Sequence, residues 1–192
     1  MKDLSLGEFC ERLASADPTP GGGTASAAGG ALAAALVAMV ARTTIGKKKF
    51  ADRQAAMEAI RDEADTLRGD LLAQAQADAR AFEAVLAAYR LPKATPEEDA
   101  QRAAAIQEAT RGAIAAPLAV SRMARRVLEL ARRAAAEGNP NAASDAEVAG
   151  LLAAAAARGA LLNVRVNLPQ LADPAERERV EAQAAALEAD LH

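Results

Sequence analysis

Apolar positions recur along this chain at helical spacing almost from end to end, and the interruptions are sharp. A capping box, Ser5-Leu6-Gly7-Glu8, opens a first helix that carries Phe9, Leu13 and Ala16 on one side and stops at Pro18. From Gly21 to Ala41 no side chain is charged, so a second helix, from about Thr24 to Ile45 with Gly46 at its end, is apolar on every side. A helix of that kind is expected at the centre of a bundle, wrapped by others. Within it Gly22, Ser26 and Gly30 fall four apart, as do Gly29 and Ala33, so a neighbouring helix can come close there.

A third helical pattern runs from Asp52 to Tyr89. At 100° per residue, Ile60, Ala64, Leu67, Leu71, Asp78, Phe82, Val85 and Tyr89 lie within roughly 40° of one line. Leu91-Pro92-Lys93 breaks this helix, and Thr95-Pro96-Glu97-Glu98 restarts one with a capping box and a proline at the first helical position. The next pattern reaches Glu137, and Pro117 is expected to kink or divide it after Ala115 or Ala116. Gly138 closes it, and Ser144-Asp145-Ala146-Glu147 reads as a third capping box. The following helix puts Val148, Leu152, Ala155, Gly159, Leu162 and Val166 on one stripe, with Asn163 and Asn167 a turn apart on its border. Pro169 ends it, and Asp173-Pro174 starts a last helix to about Leu191. The pattern predicts one all-α domain, residues 1–192: long antiparallel helices around a central apolar helix, in a dimer.

Composition strengthens this reading. The chain is 52% hydrophobic but only 2% aromatic, and alanine supplies most of the apolar count, which favours close-packed helices over strands. Net charge is −3 with basic and acidic residues interspersed, which argues against a nucleic-acid partner. Cys10 is the sole cysteine, so no internal disulfide or Cys-based zinc site can form; it reads as a small hydrophobe on the first helix, in a reducing cytoplasm. His192, at the C-terminus, is the sole histidine, which excludes Ser-His-Asp and Cys-His catalysis and the Glu-x-x-His pairs of di-iron bundles. The uncharged run is long enough to span a membrane, but alanine, glycine, serine and threonine dominate it and no second such run is evident, so no membrane partner is expected. Asp3, Glu8 and Glu11 stand where a signal peptide would be basic.

Four features could carry chemistry. The stretch Pro18-Thr19-Pro20-Gly21-Gly22-Gly23-Thr24-Ala25-Ser26 gives a bare backbone at a helix N-terminus, where free amides can hold an anion or a polar ring. It is neither a dinucleotide fingerprint nor a P-loop. Asp78 is the intruder on an apolar stripe, and a buried carboxylate is costly unless paired, hydrogen-bonded or protonated; it is either a satisfied core residue or a functional one. Lys93 sits in the turn beyond it, where complementing a helix dipole would equally explain it. In the loop Gly138-Asn139-Pro140-Asn141-Ala142-Ala143-Ser144-Asp145, turn preference accounts for Asn139 and Asn141, capping for Ser144, and a first helical turn for Asp145. Read from residues alone, these describe a helical dimer with a small-molecule cleft.

Taken together and in order, the motifs resemble the cyclodeaminase/cyclohydrolase family, which also forms the C-terminal domain of formiminotransferase-cyclodeaminase. Pro18-Thr19-Pro20-Gly21-Gly22-Gly23 is similar to its opening signature, and Asp78-Ala79-Arg80-Ala81-Phe82 with Leu91-Pro92-Lys93 to its middle one. Gly138-Asn139-Pro140-Asn141, Ser144-Asp145, Asn163-Val164 and Asn167 are similar to its closing one. The resemblance implies an all-helical homodimer acting on a tetrahydrofolate substrate. The reaction is either cyclisation of 5-formiminotetrahydrofolate with loss of ammonia, or opening of 5,10-methenyltetrahydrofolate by water. It implies Asp78 as the catalytic carboxylate and needs no cofactor or metal. Gly21, Gly22, Gly23, Ser26, Asn139, Asn141, Ser144, Asp145, Asn163 and Asn167 would hold the pterin, and Lys93 or the Lys47 to Lys49 cluster the glutamate tail. A non-enzymatic dimer that serves as scaffold or folate-binding protein is the other expectation.

Overall fold

The computed structural model describes residues 4–191; Asp3 and His192, on which two expectations rested, lie outside them. Six α-helices form, with no strand among the described residues: α1 (Leu6–Leu13), α2 (Gly22–Thr44), α3 (Gln54–Tyr89), α4 (Pro96–Glu137), α5 (Ala143–Asn167) and α6 (Pro174–Ala189). Short 3-10 turns at Lys48–Arg53, Pro140–Ala142 and Leu168–Gln170 connect them.

Local chemistry sets most of these boundaries. Ser5 and Thr95 make reciprocal capping boxes with Glu8 and Glu98, and Asp173 accepts from the Ala175 N–H at 2.9 Å to start α6. Gly46, just past α2, has φ +77°, a left-handed conformation that costs glycine nothing. Ser144 caps nothing: α5 begins at Ala143 with no side-chain cap, because Asn139 Oδ1 accepts the Asn141 N–H at 3.2 Å and starts the chain coiling earlier. Pro117 does not divide α4. Its missing N–H frees the carbonyl of Ala113, and Asn167 Nδ2 donates to that oxygen at 3.3 Å, so the gap in the ladder is filled from α5.

The helices α2 to α5 pack in antiparallel sequence. Arg42 of α2 meets Asp65 of α3, Arg126 of α4 meets Glu63 of α3, and Asn167 of α5 meets Ala113 of α4. On the remaining side α2 runs against α5: Gly22 lies by Asn163, Ser26 by Gly159, and Gly29 and Gly30 by Ala156. A Cβ on Gly159 would stand 2.5 Å from Ser26 Oγ, and one on Gly30 would meet Leu71 of α3 at 3.2 Å and Ala156 at 3.6 Å. The small-residue spacing read from the sequence is therefore the seam along which α2 and α5 touch. Twelve of the 23 residues of α2 are buried.

The core is largely alanine, filled out by Met57, Ile60, Leu71, Val120, Val127, Leu130, Leu161 and Val164. Burying each of the larger side chains contributes about 2 kcal/mol. The stripe expected on α5 is reversed: Ala146, Ala149, Ala153, Ala156, Ala157 and Ala160 face the core, whereas Val148, Leu162 and Val166 are exposed. Close contact with α2 suits the alanine face of α5, and of the bulky residues only Leu161 and Val164 join it in the core. Cys10 is exposed, and α1 buries none of its residues, so the cysteine is not a core hydrophobe.

Arginine-carboxylate pairs lace the outside of α4. Arg126 donates to both oxygens of Glu63, at 2.6 and 2.8 Å, and to Glu129 at 2.6 Å; these hydrogen bonds hold the Glu63 carboxyl below its ordinary range. Two segments, Gly22–Thr44 and Pro140–Gln170, are long and apolar enough to cross a membrane by length and composition, one more than the sequence suggested. Slightly over half of the first window is buried against its neighbours.

Candidate active site

The end of the bundle where α2 begins holds a cleft of about 290 Å³. Gly21 precedes α2 in an extended conformation, and its carbonyl accepts the Ala25 N–H at 2.9 Å. The amides of Gly22, Gly23 and Thr24 are thus first-turn donors without an intrahelical acceptor. Because α3 runs antiparallel to α2, Asp78 arrives beside this first turn. The buried Thr24 hydroxyl donates to Asp78 Oδ2 at 2.9 Å and fixes the carboxylate, itself half-buried.

Any side chain at Gly23 would displace Asp78. A Cβ at that position would lie 2.7 Å from both Cγ and Oδ2 of Asp78 and closer still to Oδ1, inside any real contact. The carboxylate therefore rests directly on bare backbone.

Two asparagines come in from the end of α5. Asn163 Nδ2 donates to the Gly159 carbonyl at 2.8 Å, and Asn167 Nδ2 donates to the Asn163 carbonyl at 2.9 Å as well as to Ala113. Their amide nitrogens are committed to backbone, and neither Oδ1 accepts a hydrogen bond among the described residues. Phe82 and Val85, one and two turns beyond Asp78, supply an apolar side with Val166, and Gln170 stands at the rim. Asp78 is the sole ionisable group in this lining. Such a cleft presents acceptors and negative charge to its contents, which suits a flat ring that carries N–H donors and positive charge.

Of the residues singled out in the sequence, Gly21, Gly22, Gly23, Asp78, Asn163 and Asn167 line this cleft together. The others do not. Ser26 donates to the Gly22 carbonyl at 2.8 Å and packs on Gly159, so it belongs to the α2–α5 seam. Lys93 is exposed in the α3–α4 turn and lines no part of the cleft. Asn139 is held at the far end of α2, its N–H to Thr44 Oγ1 at 2.8 Å and its Nδ2 to the Thr43 carbonyl at 3.3 Å. With a rise of 1.5 Å per residue, that end and its neighbours Asn141, Ser144 and Asp145 stand about 30 Å from Asp78. Lys47, Lys48 and Lys49 are exposed at the same distant end. Thr24, Phe82, Val85, Ala113 and Gln170 were not anticipated as site residues. Phe82 and Val85 could have been, since both share a helical line with Asp78.

Comparison with known proteins agrees with this architecture. The profile of the Formiminotransferase-cyclodeaminase family matches residues 5–186. A methenyltetrahydrofolate cyclohydrolase of Methylorubrum extorquens is 49% identical over 170 residues, spanning 88% of this chain and 82% of that protein. The formimidoyltransferase-cyclodeaminase of Mus musculus is 36% identical over 92% of this chain, which corresponds to only 33% of the mouse protein. A crystal structure of formiminotetrahydrofolate cyclodeaminase from Thermotoga maritima superposes with a TM-score of 0.88 at 33% identity, covering 99% of this chain and 91% of the other. The chain belongs to the formiminotransferase-cyclodeaminase family.

Proposed function

We propose that the protein is a folate one-carbon enzyme, a methenyltetrahydrofolate cyclohydrolase, with Asp78 as its catalytic carboxylate. The observation that carries this reading is the cleft in which one carboxylate, fixed by Thr24, faces an acceptor-rich lining without any cation. The methenyl bridge is an amidinium-like cation, so Asp78 stabilises it and directs water at its carbon. Water oxygen bonds to the bridge carbon, one of its protons passes through Asp78 to N5 as the carbon–N5 bond breaks, and the remaining hydroxyl proton leaves to solvent as the formyl C=O forms on N10. The Asn163 and Asn167 carbonyls accept from the pterin N–H groups, and the first-turn amides of α2 meet its carbonyl. Identity of 49% to a cyclohydrolase, against 36% to the mouse bifunctional protein, favours water over ammonia chemistry.

We also infer a homodimer in which α2 is the central helix of each subunit. Leu151 (73% exposed), Leu162 (66%) and Val166 (66%) form an apolar stripe on α5, and Leu32 of α2 is exposed as well. Val166 also lines the cleft, so a partner seated on this stripe would close the cleft's mouth. With two-fold symmetry and the α5 helices antiparallel, the partner's Asn139 to Asp145 loop would come to the Asp78 end, which accounts for its distance within one chain.

The decisive experiment follows loss of methenyltetrahydrofolate absorbance with wild type and Asp78→Asn. Wild-type turnover well above spontaneous hydrolysis is expected, reduced about 1,000-fold in the variant, the scale for a lost acid-base and electrostatic group. Absence of turnover together with ammonia release from formiminotetrahydrofolate would transfer the assignment to the cyclodeaminase reaction. Tight folate binding with neither activity would leave the non-enzymatic reading. Leu151→Glu with Leu162→Glu is expected to give monomers in sedimentation, and an unchanged dimer would remove the α5 stripe from the interface.

A further inference from the structure

A second cavity, of about 280 Å³, lies on the other flank of α3 from the Asp78 cleft. Arg12 of α1 and Arg80 of α3 line it with Thr19, Pro20, Thr24 and Gln76, and no acidic residue contributes to the lining among the described residues. Most arginines of this chain are met by a carboxylate or a carbonyl, as Arg126 is by Glu63 and Arg165 by Glu181 and Glu188. Neither Arg12 nor Arg80 has a side-chain partner within bonding distance among the described residues. Glu8, one turn before Arg12, feels its charge but is engaged by Ser5 in the capping box. Two guanidinium groups that no other described side chain meets, facing one polar hollow, make a site for an anion, and the planar fork of arginine fits a carboxylate best.

The position of the hollow says which carboxylate. Thr19 lines both cavities, and Thr24 lines this one while its hydroxyl holds Asp78 in the other. A ligand whose ring fills the Asp78 cleft can therefore cross the Thr19-Pro20 strap into the basic hollow. We propose that Arg12 and Arg80 bind the glutamyl carboxylates at the end of the substrate, an inference that rests on the folate reading above. This replaces Lys93 and Lys47 to Lys49 as the tail site: none of those lysines lines either cavity.

The test compares 5,10-methenyltetrahydrofolate with 5,10-methenyltetrahydropteroate, which has the same rings but no glutamate, alongside calorimetric titration with p-aminobenzoylglutamate. Arg12→Gln and Arg80→Gln are each expected to raise KM for the folate about ten-fold, the lower range for a charge-assisted bond at an exposed site. Both should leave kcat and the KM for the pteroate within two-fold of wild type, and the double variant should lose the fragment. Equal effects on both substrates, no effect on either, or KM for the folate rising instead in a Lys47, Lys48 and Lys49 to Gln variant would each overturn the proposal. A wild type that turns over neither substrate, yet binds the fragment through Arg12 and Arg80, would sink the folate reaction and leave the carboxylate site standing.

Discussion

Gly23→Ala tests the candidate site with a single methyl group. The added Cβ lies 2.7 Å from Asp78 Cγ and closer still to Oδ1, and ordinary van der Waals contact begins at 3.4 Å, so the carboxylate must retreat by about 1 Å. Retreat carries Oδ2 away from the Thr24 hydroxyl, now at 2.9 Å, and away from the position at which water is directed. A misplacement near 1 Å costs on the order of 100-fold in rate. Stability moves little, because alanine gains about 1 kcal/mol over glycine in a helix and the lost hydrogen bond returns about the same amount. Gly22→Ala is the matched control: its Cβ meets Asn163 Nδ2 at 3.5 Å, an ordinary contact, so activity within three-fold of wild type is expected. The assay pairs kcat/KM for methenyltetrahydrofolate with urea unfolding of all three proteins. A Gly23→Ala protein that folds normally and keeps more than a third of wild-type kcat/KM would refute the reasoning, since the position of Asp78 would then not limit the rate.

Pro117→Ala should stabilise the fold by about 1 to 2 kcal/mol in urea melts, the roughly 3 kcal/mol helical penalty of proline less the buried ring. It should also raise KM several-fold, because the new N–H competes with Asn167 for the Ala113 carbonyl. Glu63→Gln should cost about 0.5 to 1 kcal/mol at pH 7, discounted for the exposure of the pair. The Glu63 carboxyl is held low in the folded state, so the difference between wild type and variant is present above the unfolded value near 4.3 and fades as pH falls through the lowered folded one. Unfolding curves at pH 7 and pH 3.5 check the sign.

Sequence periodicity located what depended on one helix at a time. The capping residues Ser5 and Thr95, the Gly22–Ser26–Gly30 seam and Asp78 on its stripe all follow from local spacing. What it misjudged depended on neighbours. Val148, Leu162 and Val166 looked like core because they share a helical line, but the face of α5 that meets α2 carries Ala153, Ala156 and Ala160, and that line points outward. The stripe on α3 leaves the core past Asp78, where Phe82 is 38% exposed and faces the cleft. For Asn139 to Asp145, composition said nothing of place: within one chain the antiparallel order sets this loop at the opposite end of the bundle from Asp78. Proximity in such a fold is set by helix direction, which no single motif encodes. The Thr24–Asp78 bond likewise joins residues 54 apart and has no local signature.

The alanine seam between α2 and α5 gives this protein an unusual pattern of vulnerability. Truncation is the usual injury to a protein interior, but buried alanines such as Ala27, Ala34, Ala153 and Ala160 have almost nothing to remove. Harm comes from enlargement: one valine along the seam forces two helices apart over their whole contact, and the displacement reaches Gly23 and Asn163 at its end. Seam and cleft are one piece of architecture. The geometry of the cleft therefore depends on small side chains such as Ala156 and Gly159, well away from Asp78 along α5.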